Sequence, residues 1–352
     1  MEFKGRNVNH LFHKIVRGIA DGTIPTTASP SRYGNVKVIT EPVTITYEQP
    51  LECVLFNKAR DVNPFACLFE GLWTLSGSNE IESISYYTPK LREFSDDGKT
   101  WNDAYGYRWR HARGSDPIAG CDIEVDQLNI IIRELKTRPE SRRVVLQMWN
   151  VEDDLLKIDP KNKAVCCNLS CLFLLNPKTK CLDLTVINRS NDLIWGTLCV
   201  NVVEFSILLE YVANCLNVPV GIYHQISNNS HVYQNNFFPE KWLPADGVID
   251  NGCYEHNWTH IKLVQNQNVF DQEVVTFVGM PPFERAITNW SEPFLQEVAA
   301  PMAHVFNLHK QRLYSHAMKG LELIKDDAWR LAATQWITKR KQAWEAKEKE
   351  CL

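Results

Sequence analysis

Two adjacent cysteines and a later arginine motif are the residues of this 352-residue chain best suited to chemistry. Cys166 and Cys167 open an apolar stretch, and Arg189-Ser190-Asn191-Asp192 follows further along the chain. A thiolate attacks carbon well when nearby positive charge lowers the thiol pKa from about 8.5. Arginine supplies such charge and also binds phosphate with a planar fork of donors. The two motifs together predict a nucleophile beside an anion-binding group.

Composition excludes several classes of function. Apolar residues make up 44% of the chain and the net charge is −4, so no basic field attracts nucleic acid or an anionic membrane. The odd total of 11 cysteines indicates free thiols in a reducing compartment. Because neither a signal peptide, an apolar span nor a CxxC-type pair is evident, we expect a cytoplasmic protein without a metal site.

Hydrophobic periodicity predicts one α+β domain, since no internal repeat or long linker divides the chain. The predicted helices are 11–19, 64–77, 127–135, 201–216 and several beyond 293. The predicted strands are 36–47, 144–149, a hairpin within 168–186, and 220–233. The polar stretch 26–35, which contains Arg32, is predicted to be a loop. Glu70 stands out because a carboxylate is rarely buried in an apolar helix without a purpose.

Four further motifs, in order along the chain, resemble those of the thymidylate synthase family. They are Glu70–Gly77 beside Glu-Leu-Leu-Trp-Phe-Leu-x-Gly, Tyr105–Arg110 beside Tyr-Gly-x-x-Trp-Arg, Ser141-Arg142-Arg143 with Trp149-Asn150, and His231-Val232-Tyr233 beside His-Ile-Tyr. The resemblance runs from Ser31 to Asn236, more than half of the chain. Each motif is weakly specific alone, whereas their shared order is strongly specific.

The resemblance implies a thymidylate synthase-like α+β fold, with a mixed or antiparallel sheet packed by helices and one sheet face used for dimerisation. Residues 1–300 would form the catalytic domain and residues 301–352 a helical C-terminal extension of the same domain. The implied cosubstrate is 5,10-methylenetetrahydrofolate, and the implied substrate is a pyrimidine nucleoside monophosphate. An obligate homodimer with shared active sites is implied as well, without a metal, membrane contact or direct DNA binding.

The same resemblance selects Cys167 rather than Cys166 as the nucleophile. Cys167 lies six residues before Phe173, as in the family pattern Cys-His-x-x-x-Gln-Phe, and neighbours on a strand face opposite ways. Its thiolate would add to ring carbon C6, so that C5 becomes nucleophilic toward the one-carbon donor. Glu70, desolvated by its helix, would move protons through water at the ring oxygen and C5.

The remaining roles implied by the family concern binding. The phosphate ligands would be Arg32, Arg189 and Ser190 of one subunit, with Arg142 and Arg143 of the other. The sugar 3′ hydroxyl would contact His231 and Tyr233. Catalytic water and the folate would be held by Tyr105, Asp192 and Trp101. Arg189 would also lie beside the thiol.

The transferred carbon becomes a methyl group if it accepts hydride and a hydroxymethyl group if it accepts water. Several departures from the synthase pattern bear on which of the two products forms. Asn168 and Asn188 replace His and Gln, the segment 196–201 is one residue longer, and residues 227–229 replace a Gly-Asp pair. A long Trp-containing region, 328–344, replaces the short tail that closes over the folate. These features look most like the phage-type branch, which includes hydroxymethylases for modified viral DNA. They favour hydroxymethyl transfer, in the host cytoplasm if the chain is viral.

The base is indicated by Asn201, because residues 201–209 resemble the synthase stretch Asn-Ile-Ala-Ser-Tyr-Ala-Leu-Leu. An amide can donate to uracil O4 and accept from N3–H, which favours dUMP. If Val200 is the aligned residue, dCMP or CMP is possible. A thymidylate synthase with an extended tail and a non-enzymatic nucleotide-binding homologue are further alternatives. A cysteine hydrolase is disfavoured because no histidine motif accompanies the thiol.

Overall fold

The structure, a computed structural model, describes residues 1–116, 118–159 and 163–350, with only the backbone at Glu350. Cys351 and Leu352, the end of the predicted extension, lie outside the described residues. The strands are β1 (Glu2–Gly5), β2 (Thr26–Ser31), β3 (Gly34–Ile39), β4 (Val43–Tyr47), β5 (Ala112–Ser115), β6 (Asp122–Val125), β7 (Val145–Gln147), β8 (Asn168–Leu175), β9 (Leu182–Asn188), β10 (Asn191–Asp192), β11 (Val220–Ser227) and β12 (Ser230–Tyr233).

The helices lie between and after these strands. The α-helices are α1 (Val8–Asp21), α2 (Pro64–Ser76), α3 (Ile81–Ser85), α4 (Tyr105–Arg110), α5 (Gln127–Thr137), α6 (Asn201–Leu216), α7 (Pro239–Trp242), α8 (Gln267–Gly279), α9 (Pro282–Arg285), α10 (Ala300–Lys310), α11 (Tyr314–Gly320) and α12 (Asp327–Glu350). Three π-helical turns occupy Val151–Leu155, Leu193–Val200 and Leu295–Ala299.

A mixed six-stranded sheet, in the order β1-β4-β11-β9-β8-β7, supports the rest of the fold. Strands β8 and β9 form the predicted antiparallel hairpin, and β11 runs parallel to β9 but antiparallel to β4. A smaller sheet has the order β10-β12-β3-β2. The predicted mixed α+β architecture is therefore confirmed. The division at residue 300 and the use of a sheet face for dimerisation stay predictions.

Side chains alternate across the six-stranded sheet, as strand geometry requires. One face is buried, with Leu182, Leu184 and Val186 of β9 fully inaccessible. The opposite face, here called the outer sheet face, carries partly exposed apolar residues. Its apolar members are Val145, Leu172, Leu174, Ile187, Ile222 and Ile226. Leu174 is 50% exposed and Val145 45% exposed, so this face is only partly covered by its own chain.

Three of the sequence predictions were wrong in detail. The segment 26–35 is not a loop, because β2 pairs with β3 as an edge strand that tolerates Pro30. The predicted strand 36–47 is split between β3 and β4, which lie in different sheets. The predicted strand 220–233 is likewise split between β11 and β12. A change of sheet leaves little trace in the alternation of side chains, which both sheets share.

Helices α2 and α6 carry the residues of most interest, and each begins and ends for a local reason. The Asn63 side chain accepts from the backbone N–H groups of Phe65 and Ala66, and Gly77 ends α2 in the left-handed conformation with φ 76°. Helix α6 follows directly on the π-helical turn Leu193–Val200. A π turn accommodates an extra residue, which agrees with the one-residue insertion predicted within 196–201.

The two helices pack closely because Gly71 lacks a side chain. A Cβ at Gly71 would lie 2.5 Å from Cδ1 of Ile207 on α6. Together the π turn and α6, Leu193–Leu216, are long and apolar enough to cross a bilayer, yet 83% of the most apolar window is buried within the protein. Such burial within the protein is typical of a helix in a hydrophobic core.

The last helix, α12, packs against the start of α2. The ring of Trp336 lies 5.5 Å from that of Phe65. Asp61, whose φ is +56°, pairs with Lys339 at 3.1 Å and also with Arg340. These contacts tie the C-terminal helix to the segment that precedes the Glu70 helix.

A glycine at the junction of α2 and α4 offers a test of this packing. A Cβ at Gly106 would lie 1.7 Å from the carbonyl oxygen of Thr74, a backbone atom that cannot rotate away. We expect Gly106→Ala to destabilise the protein by about 2 kcal/mol or more, because such overpacking forces backbone shifts. Gly279→Ala is the matched control, since nothing lies within 4 Å of a Cβ there. Urea unfolding measures both variants, and equal stabilities would contradict the description of this junction.

Candidate active site

The two adjacent cysteines precede β8 and differ in surroundings. Cys166 is fully buried, and its thiol donates to the carbonyl oxygen of Asn168 at 2.9 Å. Cys167 is partly exposed, and its Sγ lies 3.7 Å from the nearer guanidinium nitrogen of Arg189. The geometry therefore favours Cys167 as the accessible thiol, as the sequence predicted. Its role as the nucleophile is a proposal.

Arg189 is held in place by backbone acceptors. Its guanidinium donates to the carbonyl oxygens of Cys166 and Val165, each at 2.8 Å. The guanidinium carbon also lies 5.8 Å from the centre of the Trp149 ring, within cation–π range. These contacts fix a positive charge beside the Cys167 thiol.

Burial nevertheless dominates the electrostatics of the thiol. Desolvation raises the pKa of Cys167, the positive charge of Arg189 opposes that rise, and the carboxyl of Asp103 adds to it. One guanidinium does not outweigh the loss of hydration, so the net effect of the surroundings is a raised pKa of the thiol.

A small polar cavity lies near the thiol. It measures about 100 Å³ and brings together the predicted residues Glu70, Trp101, Tyr105 and Asn201. Its other lining residues are Trp73, Ile84, Leu91, Asp103, Ala104 and Glu204. A space of this size between polar groups can hold ordered water. Asn201 lines the cavity and Val200 does not, while the assignment of Asn201 as the residue that reads the base stays a prediction.

Three carboxyl groups face this cavity, although only Glu70 was predicted. Burial raises the pKa of Glu70 to about 7. Burial, with a contribution from the charge of Glu70, raises the pKa of Glu204 to about 8. Burial also raises the pKa of Asp103, one oxygen of which has no hydrogen-bond partner in the described part of the chain. The cavity can therefore both donate and accept protons near neutral pH.

Glu204 and Asp103 were missed by the sequence analysis. The signal that identified Glu70, a carboxylate in an apolar helix, applies equally to Glu204 in α6. The same helix also contains Glu210, which instead accepts from the N–H of Leu263 at 3.0 Å and contacts His260 at 2.9 Å. The pattern alone does not separate a structural carboxylate from a site carboxylate. Asp103 lies in an irregular segment and gave no signal.

Asn201, Tyr105 and Trp101 occupy fixed positions at the cavity. The Asn201 side chain donates to Oδ1 of Asn191 at 3.4 Å. The Tyr105 ring stacks on Phe205 with 6.1 Å between ring centres. Trp101 lines the cavity while remaining partly exposed. These positions leave the amide of Asn201 facing the space where Glu70 and Glu204 lie.

The residues predicted to contact the sugar and folate form a second group beside the small sheet. In the register of β10 with β12, Asp192 pairs with His231. The His231 ring lies 5.4 Å from that of Tyr233, and its Nδ1 is 2.9 Å from Oδ1 of Asn229. Burial lowers the pKa of His231 and raises that of Asp192. Ser190 lies close by, with its hydroxyl 3.5 Å from the same Asn229 oxygen.

Three predicted phosphate ligands lie away from the cavity lining. Arg32 is exposed in the turn between β2 and β3, with its guanidinium 5.5 Å from the Tyr33 ring. Arg142 and Arg143 are exposed just before β7, at the edge of the six-stranded sheet. Within the described ranges, no group of three or more His, Cys, Asp or Glu side chains is arranged to hold a metal.

Comparisons with known proteins decide the family. The sequence model of the thymidylate synthase family matches residues 30–278. A deoxyuridylate hydroxymethyltransferase of Pseudomonas phage M6 is 36% identical over 330 residues, covering 90% of this chain and 89% of that protein. The chain belongs to the thymidylate synthase family. A deoxyuridylate hydroxymethyltransferase of Bacillus phage SP01 is 38% identical over 197 residues, which are 56% of this chain and 50% of that protein.

This thymidylate synthase family member departs from the synthase pattern at one residue that lines the cavity and at one that contacts it. Thr74 stands where the pattern Glu-Leu-Leu-Trp-Phe-Leu-x-Gly has Phe, and Glu204 stands where Asn-Ile-Ala-Ser-Tyr has Ser. The Thr74 hydroxyl is 2.8 Å from Oε1 of Glu204, so the two departures are in contact. An apolar ring and a short alcohol are thereby replaced by a hydrogen-bonded hydroxyl and carboxyl.

The contribution of Arg189 to the thiol can be measured directly. Because the guanidinium lowers the pKa of Cys167, Arg189→Gln should raise that pKa. At pH values below the pKa of the thiol, alkylation by iodoacetamide should then be slower. We expect a roughly tenfold slower rate at neutral pH, with Arg189→Lys intermediate. Mass spectrometry of peptides separates Cys167 from the other thiols, and the exposed Cys121 is the internal control. An unchanged Cys167 rate would contradict electrostatic coupling of the two side chains.

Proposed function

We propose that this chain is a deoxyuridylate hydroxymethyltransferase. It transfers the one-carbon unit of 5,10-methylenetetrahydrofolate to C5 of dUMP and releases 5-hydroxymethyl-dUMP. The observation that carries the proposal is the Cys167 thiol, 3.7 Å from the Arg189 guanidinium and near the carboxyl cavity. The proposal is supported by two phage relatives, each named deoxyuridylate hydroxymethyltransferase. The enzyme is thus a transferase acting in the cytoplasm, that of the host if the chain is viral.

Cys167 begins the reaction by adding to C6 of the uracil ring. The pyrimidine C5 is a poor nucleophile until this bond forms, after which the ring electrons are available at C5. Arg189 supports the addition by stabilising the thiolate, and together with Ser190 and Arg32 it binds the nucleotide phosphate. A bound phosphate and a thiolate share the same guanidinium, so Arg189 both orients the nucleotide and tunes the nucleophile.

Glu70 moves protons at the far side of the base. A carboxyl whose pKa is about 7 is present in both protonation states at neutral pH, which suits a proton shuttle. Water in the cavity connects Glu70 with ring oxygen O4 and with C5, and Tyr105 helps to order that water. After carbon transfer, Glu70 removes the C5 proton and the bond between the transferred carbon and the folate nitrogen breaks, so that tetrahydrofolate leaves and an exocyclic methylene forms at C5.

Asn201 selects uracil among the pyrimidines. Its amide donates to O4 and accepts from N3–H, whereas cytosine presents the reverse pattern at these positions. The position of Asn201 in the cavity wall supports dUMP rather than dCMP or CMP. His231 and Tyr233 hold the sugar 3′ hydroxyl. Asp192 and Trp101 contact the folate cosubstrate.

Hydroxymethyl rather than methyl formation is supported by the polarity of the cavity. Three carboxyl groups and an amide retain water near C5, and water is the reactant that gives a hydroxymethyl group. The alternative product, dTMP, is favoured by family membership alone. The two products differ in mass, and only dTMP formation oxidises the folate to dihydrofolate.

A homodimer with shared sites completes the proposal. Arg142 and Arg143, which are exposed at the sheet edge, are assigned to the phosphate site of a second subunit. The outer sheet face, whose apolar side chains are only partly covered, is the surface proposed for dimerisation. Burying such a face between two copies removes apolar area from water.

Product analysis tests the proposed reaction. Purified protein with dUMP and methylenetetrahydrofolate should form a 5-hydroxymethyl nucleotide and tetrahydrofolate, both identified by mass, and dCMP should be a poor substrate. Cys167→Ala should abolish turnover because the nucleophile is lost. Cys166→Ala is the matched control and should retain activity, since the buried Cys166 thiol faces the Asn168 carbonyl oxygen. A methyl product with dihydrofolate would exclude the hydroxymethylase.

Mixing inactive variants tests the shared site. Arg142→Ala and Cys167→Ala chains, unfolded together and refolded, should regain about one quarter of wild-type activity. About half of the refolded dimers are heterodimers, and in each heterodimer one of the two sites is intact. Arg189→Ala mixed with Cys167→Ala is the control and should regain nothing, since both defects lie in the same chain's site. Absence of rescue in the first mixture, with heterodimers shown by mass, would exclude donation of Arg142 by the partner.

A further inference from the structure

Glu204 is a second buried carboxyl at the cavity, one helical turn beyond Asn201. Its side chain is 6% exposed, and it lines the cavity together with Asn201 and Glu70. Residues three apart on a helix share a face, so Asn201 and Glu204 project from α6 in the same direction. Glu70 and Thr74 are similarly placed one turn apart on α2. The four side chains come together because Gly71 lets the two helices approach closely.

The Thr74 hydroxyl can support Glu204 in either protonation state. Its Oγ1 lies 2.8 Å from Oε1 of Glu204 and 2.9 Å from the carbonyl oxygen of Glu70. When Glu204 is ionised, the hydroxyl donates to it. When Glu204 is protonated, the acid can donate to the hydroxyl, which donates to the carbonyl oxygen instead. A carboxyl that gains and loses a proton thus keeps its partner throughout.

Among the described residues, the groups that act on the charge of Glu204 do not include a cation. The titratable groups that face it are Glu70 of α2, Asp103 before α4, Tyr105 of α4, Cys171 of β8 and Tyr223 of β11. Each of these is an acid or a neutral group. Burial and the charge of Glu70 together raise the pKa of Glu204 to about 8, close to that of Glu70. The two carboxyls therefore change protonation over the same range of pH, near neutrality.

A purely structural role does not account for this carboxyl. Burying an ionisable group without an opposite charge is costly, and the serine of the synthase pattern would avoid that cost. Glu210, buried on the same helix, shows the structural alternative, because it pairs with His260 and accepts from a backbone N–H. Glu204 instead faces the cavity where the base is proposed to lie.

We propose that Glu204 is a further catalytic residue, which binds and deprotonates the water that adds to the C5 methylene. This inference rests on the proposed function. The water oxygen bonds to the methylene carbon while a water proton passes to the Glu204 carboxylate. The methylene π electrons shift into the ring enolate, whose collapse expels the Cys167 thiolate from C6 and restores the C5–C6 double bond. The products are the hydroxymethyl nucleotide and free enzyme, and neither oxidant nor reductant is consumed.

The position of Glu204 fits this step. Asn201 is assigned to the O4 and N3 edge of the ring, and C5 is the ring atom next to C4. Glu204 lies one turn further along α6 and beside Glu70, which is assigned to the C5 proton. Asp103 also lines the cavity, and its charge acts on Cys167 as well as on Glu204. Glu204 thus determines whether the methylene meets an activated water.

Uncoupling of two measurable steps tests the role. Release of tritium from [5-³H]dUMP reports loss of the C5 proton, which precedes water addition. Glu204→Gln preserves the shape of the side chain and a hydrogen bond to Thr74. In this variant we expect tritium release to continue, while the ratio of hydroxymethyl product to released tritium falls about hundredfold. Added 2-mercaptoethanol should capture the accumulating methylene as a thioether, identified by mass. Glu204→Asp should restore part of the hydroxymethyl product.

Control variants separate a role of Glu204 in water addition from a general effect of removing a carboxyl. Glu210→Gln removes a buried carboxylate from the same helix and should leave the ratio of product to tritium release at the wild-type value. An unchanged ratio in Glu204→Gln, or tritium release and product falling equally, would overturn the inference. A changed ratio in Asp103→Asn but not in Glu204→Gln would assign the water to the other carboxyl and also overturn it. Formation of dTMP by the wild-type enzyme would instead refute the proposed function itself.

Discussion

The close packing of α2 on α6 is the constraint on which the site depends. Two largely apolar helices meet where Gly71 makes room for Ile207, and each carries a carboxylate and a polar partner one turn away. Tight packing excludes bulk water, so the carboxyl groups lose hydration and keep their protons to higher pH. The same packing that stabilises the fold therefore raises the pKa values of Glu70 and Glu204.

Burial and charge also act together on the pKa of the Cys167 thiol, where a nearby guanidinium opposes the effect of burial. Arg189 is fixed by two carbonyl oxygens and lies beside Cys167, yet burial keeps the pKa of the thiol raised. A protonated thiol is less reactive toward oxidants and electrophiles than a thiolate. The guanidinium contacts the thiol directly, whereas Cys167 and Arg189 are absent from the lining of the carboxyl cavity.

Much of this arrangement was predictable from sequence, and the exceptions have physical reasons. Helices α2 and α6 have clear apolar patterns with recognisable ends, and the accessible thiol was separated from its buried neighbour. Strand β2 was missed because an edge strand rich in Ser, Thr and Pro has the composition of a loop. Glu204 was missed because a carboxylate in an apolar helix is compatible with a structural partner, as Glu210 shows. The net pKa of Cys167 depends on burial, which sequence does not report.

The C-terminal helix also shapes the interior of the protein beyond the carboxyl cavity. Helix α12 forms one wall of a separate cavity of about 500 Å³, whose lining also includes Cys67 and Cys199. The helix contacts Phe65 of α2 through Trp336, and it pairs with Asp61, just before α2, through Lys339 and Arg340. Because these contacts lie within the fold, the outline of this larger cavity is determined by the folded chain itself and does not wait for a bound molecule.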